Sequence, residues 1–211
     1  PSACGQCGGV GSLIRGRGGA PRARLCACRG RAPGALGLNT LLETARVPPR
    51  YSECEFDNFD AYGPHALSLS NARAMAWRYA EEYPLSDRGL LFMGPPGVGK
   101  THLSVAILRR LIAEKGASGL FLDVQDLLRQ LQATFDRQSG MTQLDLLQPV
   151  LQTELVVLDD LGGRQFTPWV DETLTHIVTT RYNERRATIV TTNSLDEPPK
   201  PRMHCPEDRT G

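Results

Sequence analysis

Residues 94–101, Gly94-Pro95-Pro96-Gly97-Val98-Gly99-Lys100-Thr101, carry the spacing G-x-x-x-x-G-K-[ST]. Those residue types at that spacing suit one task, holding a chain of phosphates. Glycines let the backbone turn tightly enough for successive N–H groups to converge on phosphate oxygens. A helix opening directly after the loop adds the positive end of its dipole. The Lys100 ammonium can reach the β- and γ-phosphates, and the Thr101 hydroxyl is a hard oxygen ligand for Mg²⁺. A glycine-rich turn can match such a pattern by accident. The flanks argue against accident: Leu90-Leu91-Phe92-Met93 reads as a strand, and Leu103, Ala106, Ile107 and Leu111 recur at helical spacing. The expected ligand is ATP with Mg²⁺.

A second signal follows 58 residues after Thr101, where Leu155-Val156-Val157-Leu158-Asp159-Asp160 reads as an apolar strand ending in two acids. In a parallel sheet a buried strand delivers its terminal carboxylate beside the phosphate loop. Asp159 is then the Mg²⁺ ligand, directly or through water, and Asp160 the group that orients and polarises an attacking water. The plainer reading is a strand ending in a solvated acidic turn, and the order after the phosphate loop weighs against it. Residues 187–193 form a further apolar run ending in Thr191-Thr192-Asn193. Asn and Thr also simply end strands, so this cluster gains weight only from its place after the acidic pair. Lys100, Asp160 and Asn193 make the candidate catalytic set.

Cysteines crowd the amino-terminal end. Cys4-x-x-Cys7 and Cys26-x-Cys28 are separated by 18 residues. Two such pairs joined by a hairpin can give Zn²⁺ four thiolates, and four sulfurs without His fit a closed structural site. Metal binding would also supply the folding energy that a Gly-, Arg- and Cys-rich segment lacks. The C-x-C pair departs from the commoner C-x-x-C, and disulfides, a redox pair or chance compete with zinc. Cys54 and Cys205 are isolated, as ordinary thiols in a reducing compartment would be.

These groups need elements to position them. Of 211 residues 40% are hydrophobic and 22% charged, which fits a soluble globular protein with room for one α/β domain and a small appendage. No apolar stretch approaches the roughly 18 residues of a membrane helix, and no secretory signal is visible. A cytoplasmic location without membrane contact is expected. The net charge of +1 conceals an asymmetry: residues 1–42 hold six arginines and no acid, leaving 18 basic and 23 acidic residues beyond. Such an appendage either touches something anionic or is a solvated arginine-rich tail. The composition divides the chain into a basic ribbon-like segment at 1–32, a linker at 33–50 and a domain-like core at 51–211 that carries the phosphate loop. A short helix is expected at 39–46, ended by Pro48-Pro49. A longer one is expected at 64–83, with Leu67, Met75 and Tyr79 among its apolar positions. Strands are expected at 89–93, 119–123, 155–158 and 187–191, and helices at 100–115, 124–135, 143–152 and 168–185. That alternation predicts a parallel sheet covered on both faces.

Several further stretches narrow the reading: Arg46-Val47-Pro48-Pro49-Arg50-Tyr51, Phe56-Asp57-Asn58-Phe59, His102-Leu103 after the loop, Leu158-Asp159-Asp160-Leu161-Gly162, Trp169-Val170, and Arg181-Tyr182-Asn183 leading into Thr191-Thr192-Asn193. With the cysteine cluster, they make the chain similar to the DnaC/DnaI/IstB-like family of AAA+ ATPases, which are bacterial helicase loaders and transposition helpers. The resemblance implies a three-layer P-loop fold. It implies nucleotide contacts at Gly94, Pro95, Pro96, Gly97, Val98, Gly99, Lys100, Thr101 and His102, and a sensor 1 role for Asn193. Related ATPases often have Glu where Asp160 stands, so the shorter side chain must reach further. Phe56 and Phe59 are either core residues or contacts for the adenine.

The resemblance implies ATP-dependent association with a replicative DNA helicase, delivery of that helicase to single-stranded DNA, and self-association through the AAA+ core. The ribbon would contact the helicase or nucleic acid. An IstB-like transposition helper is the alternative, and an ATP-binding adaptor with little turnover is another. A DnaJ-type zinc module is disfavoured: Cys4–Gly11 fits C-x-x-C-x-G-x-G only once, and the phosphate loop is intact. After Asn193 only 18 residues follow, without a fifth strand, a helical lid or the family's arginine-bearing segment. Arg202 and Arg209 are weak substitutes. The expectation is a chain truncated at its carboxyl end, binding nucleotide more securely than it hydrolyses it.

Overall fold

The computed structural model describes residues 12–15, 22–25, 37–84, 89–135, 142–162 and 167–194. Two short strands, β1 (Ser12–Arg15) and β2 (Arg22–Leu25), pair antiparallel, with Ser12 opposite Leu25 and Arg15 opposite Arg22. They lie between the two cysteine pairs in sequence, where a hairpin is expected. Cys4, Cys7, Cys26 and Cys28 themselves lie outside the described residues.

The main body follows as α1 (Leu38–Thr44), α2 (Ala66–Glu82), β3 (Leu90–Met93), α3 (Lys100–Lys115), β4 (Gly119–Asp123), α4 (Val124–Ala133), α5 (Gln143–Gln152), β5 (Leu155–Leu161), α6 (Pro168–Asn183) and β6 (Ala187–Thr192). Local chemistry starts and stops these helices. Asp123 caps α4 by accepting from the Asp126 amide, and Thr142 and Asp145 cap α5 reciprocally. Thr167 caps α6, with Pro168 in its first turn. Gly116, at φ 60, ends α3.

Strands β3 to β6 form a four-stranded sheet in the order β3-β6-β5-β4, every pair parallel. Strand β5 is enclosed on both sides: Leu155, Val156, Val157 and Leu158 are all buried. Alternation sends Leu155 and Val157 into one core with α1, α2 and α3, and Val156 and Leu158 into another with α4 and α6. This is the three-layer α/β arrangement expected from the sequence.

Two details differ from the sequence reading. Leu67 and Met75 on α2 are exposed, and the buried side of that helix is Ala76, Tyr79 and Ala80. Small side chains let α2 lie close to α3, so the larger apolar residues do not mark the contact face. The segment read as a linker is part of the core: Leu42, Ala45 and Val47 are buried, and the Ala45 carbonyl accepts from the Phe121 amide at 2.7 Å. Residues 38–47 therefore pack on the body and meet β4. Among the described residues no helix is long and apolar enough to cross a membrane.

Because the order is β3-β6-β5, the strand ending in Thr191-Thr192 lies between the strand feeding the phosphate loop and the strand bearing the acids. Three chain segments far apart in sequence thus end side by side at the carboxyl edge of the sheet.

Candidate nucleotide site

The loop between β3 and α3 turns on glycines held where other residues are strained: Gly97 has φ 84 and Gly99 φ 92. Gly99 is also constrained by space, since a Cβ there would come within 2.5 Å of the Phe59 ring. The first bond of the helical ladder runs from the Leu103 amide to the Gly99 carbonyl at 3.0 Å. The amides of Lys100, Thr101 and His102 thus precede the ladder, at the positive end of the α3 dipole. Anchoring the other end of the loop, the Gly94 amide donates to the Thr192 carbonyl at 3.3 Å.

Lys100 Nζ donates to the carbonyls of Gly94 (2.8 Å) and Pro95 (2.9 Å) and to Asn193 Oδ1 (2.7 Å). Burial pulls its pKa below the usual lysine value, and Asp159 and Asp160 oppose that shift. The Asn193 amide group in turn donates to Asp160 Oδ1 at 2.7 Å. One short chain, Lys100–Asn193–Asp160, therefore joins three of the residues singled out from the sequence.

Thr101 Oγ1 lies 2.9 and 3.1 Å from the two Asp159 oxygens. Asp159 is 8% exposed, and burial pushes its pKa up, against hydrogen bonds from Thr191 and Thr101 that favour the carboxylate. A hydroxyl and a carboxylate side by side are the hard oxygen donors that Mg²⁺ takes. That ion needs only one or two protein ligands when phosphates and waters complete its shell. Among the described residues no cluster of three or more His, Cys, Asp or Glu gathers into a metal site, and a two-ligand Mg²⁺ position requires none. The arrangement can seat a triphosphate on the loop, hold a divalent cation at Thr101 and Asp159, and present Asp160 and Asn193 to a water beyond the terminal phosphate.

A sequence model of the family described as "IstB-like ATP binding protein" matches residues 38–197. The chain belongs to this family. Among curated relatives it is similar to the replicative helicase loader DnaC of Escherichia coli K12, 29% identical over 160 residues, covering 76% of this chain and 63% of that protein. An uncharacterized protein, YdaV, of the same strain is 28% identical over 159 residues, covering 75% and 61%. The chain thus spans about 63% of the length of the first helicase loader it matches. Among solved structures, the crystal structure of the DnaC helicase loader superposes with a TM-score of 0.61 at 33% identity, covering 71% of this chain and 82% of that one. DnaI superposes with a TM-score of 0.59 at 26% identity, covering 71% and 77%. AMPPCP-bound DnaA from Aquifex aeolicus, 18% identical with a TM-score of 0.56 over 70% and 43%, shares the AAA+ fold.

Within this IstB-like chain three side chains pack beside the loop. His102 Nε2 lies 2.8 Å from the Glu55 carbonyl, and its ring meets the Phe59 ring edge-on at 5.4 Å. A carbonyl only accepts, so Nε2 carries the proton. The side chain ties the 55–59 segment to the first turn of α3, leaving the His102 backbone amide for the loop. Phe56 and Phe59 are both buried: Phe56 packs edge-on against Trp77, and Phe59 lies under Gly99. Core packing accounts for both rings. Cys54 is a free, buried thiol whose pKa burial raises.

Two contributions escape sequence reasoning. Thr191 bonds to both acidic residues, but as one Thr in a T-T-N run it carries no mark of its own. Arg181 is fully buried and donates to the carbonyls of Val150 (2.6 Å) and Thr153 (2.9 Å), to that of Ala187, and to Thr188 Oγ1 (2.9 Å). It ties the end of α5 to the start of β6, and burial lowers its pKa to about 10.

Proposed function

We propose that this chain is an ATPase of the DnaC-like loader type, which couples ATP binding and hydrolysis to delivery of a replicative helicase onto single-stranded DNA. The observation that carries the ATP part is the convergence of Lys100, Thr101, Asp159, Asp160 and Asn193, from three strand ends, into one hydrogen-bonded group. Lys100 and the loop amides bind the β- and γ-phosphates. Thr101 and Asp159 hold Mg²⁺, which neutralises phosphate charge when bound. Asp160 orients the attacking water and accepts its proton, and Asn193 holds Asp160 and Lys100 in register. Such a site works mainly by positioning and charge stabilisation. The helicase as partner is supported by the similarity to DnaC.

Contact with DNA is supported by the amino-terminal strands. Arg15 stands opposite Arg22, and Leu13 opposite Arg24, along the strand pair. Arg15, Arg22 and Arg24 fall within these strands, in a stretch of 42 residues without an acid, a charge balance that suits a phosphate backbone. Cys4, Cys7, Cys26 and Cys28 would close this hairpin on Zn²⁺. Self-association through the AAA+ body belongs to the same reading, as does a cytoplasmic site of action. The family's description also supports a second reading, an IstB-like transposition helper, with the same ATP chemistry serving a transposase.

The test combines nucleotide binding with partner capture. Lys100→Ala is expected to abolish ATP binding. The unaltered chain is expected to retain purified replicative helicase only with ATP, and to bind fluorescent oligo-dT. Unchanged ATP affinity in Lys100→Ala overturns the site. ATP-dependent retention of the transposase in place of the helicase selects the second reading, and ATP binding without turnover, with or without DNA, reduces the chain to an adaptor.

A further inference from the structure

Along β5 and β6, Leu158 pairs with Val190 and the next pair is Leu161 with Thr192. Strand β5 advances three residues while β6 advances two, so Asp159 and Asp160 together stand opposite Thr191. This is a β-bulge, a feature seldom found between parallel strands and often found beside active sites, where it re-aims a side chain. Asp160 sits at its turn with φ 59, in the left-handed region that Asp tolerates better than most residues.

The bulge changes what the two acids can reach. On a regular strand consecutive side chains point to opposite faces, and only one of two adjacent acids could serve the phosphate loop. Here Asp159 accepts from Thr101 while Asp160 accepts from Asn193. The shorter reach of Asp relative to Glu is thus met by the backbone.

A bulge also breaks the ladder of backbone hydrogen bonds, and a buried amide left without a partner is costly. The Asp160 amide finds its partner in Thr191 Oγ1, at 2.9 Å. That hydroxyl gives its own proton to Asp159 Oδ1, at 2.7 Å. Thr191 is only 1% exposed, so water does not compete for either bond. One hydroxyl, accepting and donating at once, therefore fixes the backbone of one acid and the carboxylate of the other.

We propose that Thr191 is a positioning residue whose hydroxyl holds the bulge, setting Asp159 for Mg²⁺ and Asp160 for the water. The proposal rests on the ATP reading above, and its test is chosen to separate the two. Fluorescent ATP affinity is measured on the full chain with Mg²⁺ and with EDTA, in wild type, Thr191→Val and Thr191→Ser. Valine keeps the shape and removes the hydroxyl; serine keeps the hydroxyl. The expected result is equal metal-free affinity in all three. The affinity gained on adding Mg²⁺ should fall about tenfold or more in the valine variant, as for loss of a group that orients a metal ligand, and should survive in serine. Should the valine variant not fold, Thr191→Cys, a weak donor of similar size, replaces it with the same expected loss. A valine or cysteine variant with the full Mg²⁺ gain overturns the proposal. A wild type that binds ATP without any Mg²⁺ gain overturns it too, while leaving the phosphate loop intact. A wild type that binds no ATP removes the ATP reading itself, and this proposal with it.

Discussion

Gly99→Ala tests the packing beneath the phosphate loop. Two separate costs are expected. The backbone cost comes from φ 92, where a side chain is strained by about 1–3 kcal/mol. The packing cost comes from Phe59: an ideal Cβ would lie 2.5 Å from Cε2, 3.3 Å from Cζ and 3.4 Å from Cδ2 of its ring. The ring must retreat by roughly an ångström, yet it is buried and already edge-on to His102, so overpacking of about 1–3 kcal/mol is expected. Together these give about 2–6 kcal/mol, a large part of the roughly 5–15 kcal/mol that holds a domain folded. Urea unfolding of wild type, Gly99→Ala, Phe59→Leu and the double variant separates the two. In the Phe59→Leu background the ring is gone, and the cost of Gly99→Ala should fall to its backbone part. The expected coupling is about 1–3 kcal/mol, beyond the roughly 0.5 kcal/mol within which independent sites add. Additivity within that limit refutes the idea that the ring under Gly99 shapes the loop. The double variant should regain stability without regaining ATP affinity, because the strained residue still displaces the amides that face phosphate.

Asp160→Asn keeps a residue that tolerates the left-handed turn and removes the base. ATP affinity should hold while turnover, measured as phosphate release with helicase and DNA present, falls about 10²–10⁴-fold; equal rates exclude Asp160 from orienting the water. The Tyr79 hydroxyl is buried without a hydrogen-bond partner among the described residues, so Tyr79→Phe should stabilise the fold by about 1–3 kcal/mol at neutral pH by urea unfolding. Burial pushes the Tyr79 pKa up to about 12 from 10.0. The folded state therefore favours the protonated form: this contribution is full below pH 10 and is lost as pH rises through about 12, by about 2–3 kcal/mol. Tyr79→Phe should lack that alkaline loss, and an identical alkaline profile in both proteins refutes the assignment. Arg181→Met should destabilise by at least about 3 kcal/mol, because the carbonyls of Val150, Thr153 and Ala187 lose a buried donor; a loss below about 1 kcal/mol in urea would show that water replaces the guanidinium. Replacing Arg15, Arg22 and Arg24 with Gln should lower the salt dependence of oligo-dT binding by about 2 in log–log slope, near 0.7 for each phosphate no longer neutralised; an unchanged slope would show that these arginines do not meet DNA.

Much of this protein is legible along the chain because the deciding interactions are local. Glycines at 97 and 99, with a helix-forming run after them, specify a phosphate-type loop within a few residues. Strand β4 and helices α3 and α5 fall at the residues expected, since their apolar spacing and caps lie within each element. The other decisions are made across the fold. Nothing near Ala76 and Ala80 says that they, and not Leu67 and Met75, meet α3; only the approach of that helix selects the small residues. Neither does the composition around Leu42 and Val47 distinguish a linker from a core strap until β4 offers its edge. The apolar run Leu155-Val156-Val157-Leu158 predicts a strand but is silent on the bulge after it, which exists because β6 pairs beside β5 two residues for three. Strands, helices and the phosphate loop are thus written into the chain itself, because neighbours in the chain satisfy their preferences. Long-range packing alone brings Thr191, Asn193 and Phe59 against Asp159, Asp160, Lys100 and Gly99. Those pairings join residues up to 93 positions apart, and they form only when burial of the apolar faces fixes strand order and register.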